Sequence, residues 1–165
     1  MKKIGIVMGS KSDLPVVQKA IDVLNELEIP FEAHIYSAHR TPVEAAAFAR
    51  AARENGFACM IAFAGMAAHL AGAIAANTTL PVIGVPCKGP VFDGMDALLS
   101  TVQMPSGIPV ATVAVNGGAN AALLAAEILS VEDPDLARRL QKKREAAAAA
   151  ILEQDAQLSE ELMHS

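Results

Sequence analysis

Tryptophan is absent from this 165-residue chain and tyrosine occurs once, so the aromatic groups that usually stack on a flavin are missing. Cysteine is nearly as scarce. Cys59 and Cys87 are too few for a disulfide scaffold and lack metal-ligand spacing. Both stand in apolar segments and read as buried thiols in a reducing compartment. Positive charge is in deficit: 13 Lys and Arg against 18 Asp and Glu give a formal net charge of −5, so no basic field draws nucleic acid. No apolar run reaches the roughly 20 residues of a membrane-spanning helix. Met1-Lys2-Lys3 leads straight into an apolar stretch without a signal-peptide pattern, and the expectation is a cytoplasmic protein. Neither a Walker lysine-serine pattern nor G-x-G-x-x-G occurs, which argues against a nucleoside triphosphate or dinucleotide ligand.

What is abundant is small and apolar. The hydrophobic fraction is 53% before the 11 glycines are added, above the usual apolar share of roughly 45–50%. Alanine runs at 45–47 and 146–150 carry much of the excess. A chain of this length forms one domain and buries roughly 70% of its unfolded surface without staples. The surplus of apolar surface predicts a homo-oligomer.

Apolar runs at 4–8, 31–36, 58–63, 82–85 and 110–115 read as strands. Helical spacing spans 14–27, 42–54, 67–76, 94–103 and 119–129, and Pro134 opens a last helix to about 160 that is too polar to be core all round. Ser12 or Asp13 is expected to cap the first helix, and Thr41-Pro42-Val43-Glu44 reads as a capping box for the second. The last helix is expected to lie across the domain or reach a neighbouring copy. Strands alternating with helices define an α/β chain: a three-layer, flavodoxin-like (Rossmann-like) parallel sheet of about five strands in the order 2-1-3-4-5. The whole of 1–165 reads as a single domain, with a core over 3–130 and the long C-terminal helix over 134–160.

In such a sheet, ligands bind beyond the carboxyl ends of the strands at the switch point. That rule selects three loops: Gly9-Ser10-Lys11-Ser12-Asp13, Ser37-Ala38-His39-Arg40-Thr41 and Ala64-Gly65-Met66-Ala67-Ala68-His69. The first suits a phosphate or sugar, since glycine admits close approach and a helix start turns N–H groups outward. Ser10 and Ser12 can donate, and Asp13 can accept from a ribose diol, although capping alone would also explain Ser12 and Asp13. Arg40 can fork onto a phosphate, and His39 beside it titrates near neutrality and can serve as acid and base in one cycle. His34 reads as structural, and His164 lies in the tail. No acidic residue ends the first or third strand, against a phosphate-accepting receiver, and no spacing supports a metal site from His39, His69 and Asp13. No metal and no cofactor is expected.

The segments M-G-S-K-S-D at 8–13, S-A-H-R-T-P at 37–42, A-A-H-L at 67–70, M-P-S-G-I-P-V-A-T-V at 104–113 and N-A-A-L-L-A-A at 120–126 resemble the N5-carboxyaminoimidazole ribonucleotide mutase family (PurE), in its bacterial first class. The likeness runs from about residue 3 to 130, with the motifs in the family's order. It implies an isomerase of purine (IMP) biosynthesis that converts N5-carboxyaminoimidazole ribonucleotide to 4-carboxy-5-aminoimidazole ribonucleotide, without metal, ATP or biotin. It also implies a homo-octamer with active sites at subunit interfaces. By motif match, His39 is the catalytic acid and base. Ser10, Ser12 and Asp13 help bind the ribose phosphate, Ser37 and Arg40 complete that site, and Ala38 is among the substrate-binding residues. Gly65, Met66, Ala67, Ala68, His69 and Leu70 line the pocket for the base and its carboxylate, with His69 in support. The chain departs from the family at Met66, where many members have glycine, and at Ala71, where many have proline. The second family class, which carboxylates aminoimidazole ribonucleotide directly with CO2, usually carries lysine at the place of Arg40. Rival expectations are therefore that direct carboxylase, a non-catalytic nucleotide-binding module, and an oligomeric scaffold.

Overall fold

The computed structural model describes residues 2–163; Met1 and the tail histidine His164 lie outside them. The strands are β1 (Lys3–Met8), β2 (Phe31–Ile35), β3 (Phe57–Gly65), β4 (Val82–Cys87) and β5 (Ala111–Thr112). The helices are α1 (Leu14–Glu26), α2 (Pro42–Ala51), α3 (Leu70–Ala75), α4 (Met95–Val102), α5 (Gly118–Ser130) and α6 (Pro134–Met163). All pairings are parallel and the order is β2-β1-β3-β4-β5, as the alternation of the sequence predicts.

Side-chain alternation divides the core between the two faces of the sheet. Ile4, Ile6 and Met8 of β1 join Cys59, Ile61 and Phe63 of β3 against α1, α5 and the start of α6. Val7, Met60 and Ala62 face the other way, onto Ala45 and Ala49 of α2 and Leu70, Ala71 and Ile74 of α3. Small residues set the layer spacing: a Cβ on Gly118 at the start of α5 would run into the Val16 carbonyl of α1. The register brings the strand ends level. Met8 lies beside both Ile35 and Phe63, and Gly65 lies beside Cys87.

Four element ends differ from the sequence reading by three residues, and the others agree within two. β5 covers only Ala111–Thr112 rather than 110–115. The carbonyls of Gly84 and Pro86 accept from Val113 and Asn116 on that edge, but Pro86 has no N–H to return, and the ladder lapses. α3 starts at Leu70 rather than 67, because residues 66–69 form tight turns instead: the Ala68 N–H bonds the Met66 carbonyl and the His69 N–H the Ala67 carbonyl, both at 2.8 Å. α2 stops at Ala51, and a looser turn leads to Gly56 with φ 78°. α6 runs 30 residues, roughly 45 Å, to Met163.

The first part of α6 docks through Leu136 and Leu140, with ion pairs from Lys143 to Glu26 and Arg144 to Glu127. From 144 to 163 every residue is exposed. Among the described residues no helix is long and apolar enough to cross a membrane.

Candidate active site

Beyond the carboxyl ends of the strands lies a cavity of about 740 Å³, walled by the three loops that the sequence singles out. Ser10, Ser12 and Asp13 line it from the loop after β1, and Ser37, Ala38, His39 and Arg40 from the loop after β2. Gly65, Met66, Ala67, His69 and Leu70 line it from the loop after β3. Ala68 does not. Its N–H turns back to the Met66 carbonyl at 2.8 Å, and its side chain is buried at 1% exposure.

Each loop is built by its own hydrogen bonds. Ser10 Oγ accepts from the Ser12 N–H at 3.3 Å, and an Asp13 carboxylate oxygen accepts from the Ser10 N–H at 3.1 Å. The capping box therefore forms here, around one turn of 3-10 helix, and Asp13 stands at the N-cap position of α1 without a side-chain cap bond. It also consumes N–H groups expected to face a phosphate. The Ser10 and Ser12 hydroxyls, 3.0 Å apart, remain on the cavity wall.

The expected capping box at Thr41 and Glu44 is absent. Thr41 turns backward instead: its Oγ1 accepts from the Ser37 N–H at 2.8 Å and stands 3.3 Å from the Ser37 carbonyl. Ser37 Oγ in turn accepts the backbone N–H groups of His39 and Arg40 at 3.3 and 3.2 Å. This knot of four residues points both side chains outward. Arg40 then reaches the neighbouring loop, donating through Nη2 to the Gly9 carbonyl at 3.0 Å. His39 faces His69, with ring centroids 6.5 Å apart and planes within 21°. Both rings are exposed on the cavity side. His34, read as structural, stacks on Tyr36 at 5.0 Å and bonds Glu32 at 2.9 Å, outside the cavity.

Burial sets the electrostatics of the floor. Burial pushes the Asp13 carboxyl above its usual range, and the Ser10 N–H opposes that rise. The Cys87 thiol, also on the wall, is pushed up to about 12 by burial, with the nearby Asp13 charge adding to the effect. Cys59 reaches about 12 by burial in the core. Both thiols are free and buried, as their apolar segments imply. Among the described residues no three of His, Cys, Asp and Glu gather as a metal site.

The far wall went unread in the sequence. Cys87, Lys88, Gly89 and Pro90 line the cavity from the loop after β4, and Asn116 from the loop after β5. Asn116 Oδ1 accepts the Lys88 N–H at 2.9 Å, and Lys88 Nζ is held by Asp93 at 2.5 Å. The same carboxyl-end rule, extended one strand outward, would have found the β4 loop. Asn116 has only its left-handed φ of 58° to mark it, and that is a property of the folded backbone.

A doubly wound parallel sheet with two histidines, an arginine and clustered hydroxyls at its switch point defines an α/β protein whose cavity has groups able to take a small anion beside groups able to carry a proton. Residues 3–150 match the AIR carboxylase family, and the chain belongs to it. It is 52% identical over 157 residues to the N5-carboxyaminoimidazole ribonucleotide mutase of Bacillus subtilis, covering 94% of this chain and 97% of that protein. The phosphoribosylaminoimidazole carboxylase of Ogataea methanolica is 56% identical over 132 residues, 80% of this chain and 24% of that longer protein. A crystal structure of a Treponema denticola PurE2 variant superposes with a TM-score of 0.85 at 31% identity, over 96% of this chain and 99% of that one.

Proposed function

We propose that the chain is an N5-carboxyaminoimidazole ribonucleotide mutase acting in purine biosynthesis. The observation that carries this reading is the near full-length likeness to the Bacillus subtilis mutase, together with a cavity onto which His39, Arg40 and His69 all open. Arg40 and the hydroxyls of Ser10, Ser12 and Ser37 take the ribose phosphate, and Asp13 the ribose. Gly65, Met66, Ala67, His69 and Leu70 hold the imidazole and its carboxylate.

Protonated His39 gives its proton to the carbamate nitrogen. The nitrogen–carboxyl bond breaks, its electron pair passes to nitrogen, and CO2 is released into the pocket. The ring carbon attacks CO2, and neutral His39 removes the proton from that carbon. One proton is given and one regained, so the cycle closes on itself. Confining CO2 against the ring is an entropy-trap effect, worth on the order of 7–11 kcal/mol at best.

The working unit in this reading is a single mutase domain in a cytoplasmic homo-oligomer, an octamer by the family likeness. Two buried free thiols fit a reducing compartment. Met95, Leu99 and Val102 form an exposed apolar face on α4, continued by Val91 at 74% and Phe92 at 65% exposure. Ile151, Leu152 and Leu158 project from the undocked part of α6. Such surface fits burial between copies.

The test is conversion of each candidate substrate by the purified protein without ATP. Conversion of the N-carboxylated nucleotide supports the mutase. Carboxylation of aminoimidazole ribonucleotide by CO2 alone would assign the direct carboxylase instead. His39→Ala is expected to fold and bind nucleotide yet lose turnover, and near wild-type turnover in that variant refutes its role.

A further inference from the structure

None of His34, Tyr36 and Phe48 lines the cavity, yet their rings stand at both ends of the loop that carries His39 and Arg40. Tyr36 directly precedes Ser37 and is tied to the sheet, donating its N–H to the Met8 carbonyl at 3.0 Å. Phe48 lies in α2, which begins at Pro42, directly after Thr41. His34 packs on both. Its ring lies flat on Tyr36 at 5.0 Å and 7°, and Phe48 meets it edge-on at 4.8 Å.

The ring is oriented from its other side. His34 Nε2 stands 2.9 Å from Glu32 Oε1, and Lys3 Nζ donates to Glu32 Oε2 at 2.6 Å. The His34 bond, and after it Lys3, hold the Glu32 carboxyl below its usual 4.5, which keeps it a charged acceptor. Phe48 is in turn backed by Phe57 of β3 at 5.3 Å.

The loop depends on the spacing of these two flanks. It is closed by the Ser37 N–H on Thr41 Oγ1 at 2.8 Å and the Thr41 N–H on the Ser37 carbonyl at 2.9 Å. Arg40 has a second tether, its bond to the Gly9 carbonyl. Among the described residues the His39 side chain makes no hydrogen bond, only its ring contact with His69. His39 therefore takes its place from the closed loop alone.

We propose that His34 is a positioning residue for His39: its ring clamps the exit of β2 to α2 and so keeps the loop closed. The proposal rests on the reading of His39 as the proton carrier given above. His34 itself touches no substrate.

Two measurements test it. The chain has no tryptophan and Tyr36 is its one tyrosine, so tyrosine emission reports this cluster alone. Titration of wild type with inorganic phosphate is expected to change that emission, since an anion taken by Arg40 moves the loop that Tyr36 adjoins. In ATP-free kinetics on the N-carboxylated nucleotide, His34→Ala is expected to keep KM near wild type, because Arg40 retains its own tether. Its kcat should fall about tenfold or more, given that a shift of about 1 Å near the chemistry costs on the order of a hundredfold. His34→Phe keeps a ring and restores kcat; His34→Gln keeps a hydrogen bond for Glu32 and does not. Wild-type kcat in folded His34→Ala overturns the clamp, as does equal rescue by Gln and Phe. If the alanine variant does not fold, Gln against Phe makes the same comparison. Unchanged Tyr36 emission while calorimetry registers phosphate binding also overturns it. Failure of wild type to convert the nucleotide overturns the functional reading instead, and Tyr36 emission tests the clamp without turnover.

Discussion

Arg40 donates through Nη2 to the carbonyl of Gly9 at 3.0 Å, joining the loop after β2 to the loop after β1 across two adjacent strands. The same guanidinium stands 3.4 Å, through Nε, from Ser37 Oγ. One side chain thus ties together two of the loops that wall the cavity, and it lines that cavity itself. Arg40→Ala is expected to raise KM about tenfold or more, from loss of a charge-assisted contact of about 1.5–3 kcal/mol. Arg40→Lys recovers little of this, since a single ammonium has no fixed fork to span Gly9 and Ser37. Steady-state kinetics on both variants check it. A lysine variant with wild-type KM would show that charge alone suffices.

Asp13 carries a pH signature. Burial raises its carboxyl above the ordinary 3.8. A group whose folded pKa is raised contributes its full stability below the unfolded value and loses it as pH climbs through the raised value. Burial thus disfavours the ionised carboxylate in the folded chain. Asp13→Asn keeps an oxygen for the Ser10 N–H and removes that burden. Its thermal midpoint at pH 7 is expected to exceed wild type, the difference fading toward about pH 3, while turnover drops. Thermal melts across that range decide it, and a lower midpoint at pH 7 would mean the charge itself holds the loop.

Cys59 and Cys87, both pushed to about 12, are thiolate in only about one molecule in ten thousand at pH 8. Native protein is expected to resist iodoacetamide at both positions and to react fully once denatured. Rapid alkylation of Cys87 in the native state would show that its thiol opens onto the cavity.

Gly118→Ala is expected to destabilise the fold by about 2 kcal/mol or more, because its Cβ meets the Val16 backbone and neither α1 nor α5 can withdraw without opening the core. Urea unfolding should show a lower midpoint at unchanged slope. An unchanged midpoint would mean that the two helices slide apart freely.

Much of this architecture was legible in the chain itself. Continuous apolar runs such as 58–63 need both sheet faces covered, so alternation with helices left one topology, and the topology named three of the loops that meet at the cavity. His39 and Arg40 were placed there by position alone. The capping box was placed at Thr41 because the T-P-V-E pattern is local, whereas its hydroxyl is claimed by Ser37 across a turn.

Periodicity and strand order follow from local pattern and the handedness of the chain, and they already bring the three loops to one end of the sheet. Tertiary structure decided the rest: the short β5 beside Pro86, the far wall of Lys88 and Asn116, the inward Ala68 and the left-handed Met66. These depend on which backbone groups meet across the sheet and on dihedral angles held by distant packing, and neither is written in the order of side chains along one segment.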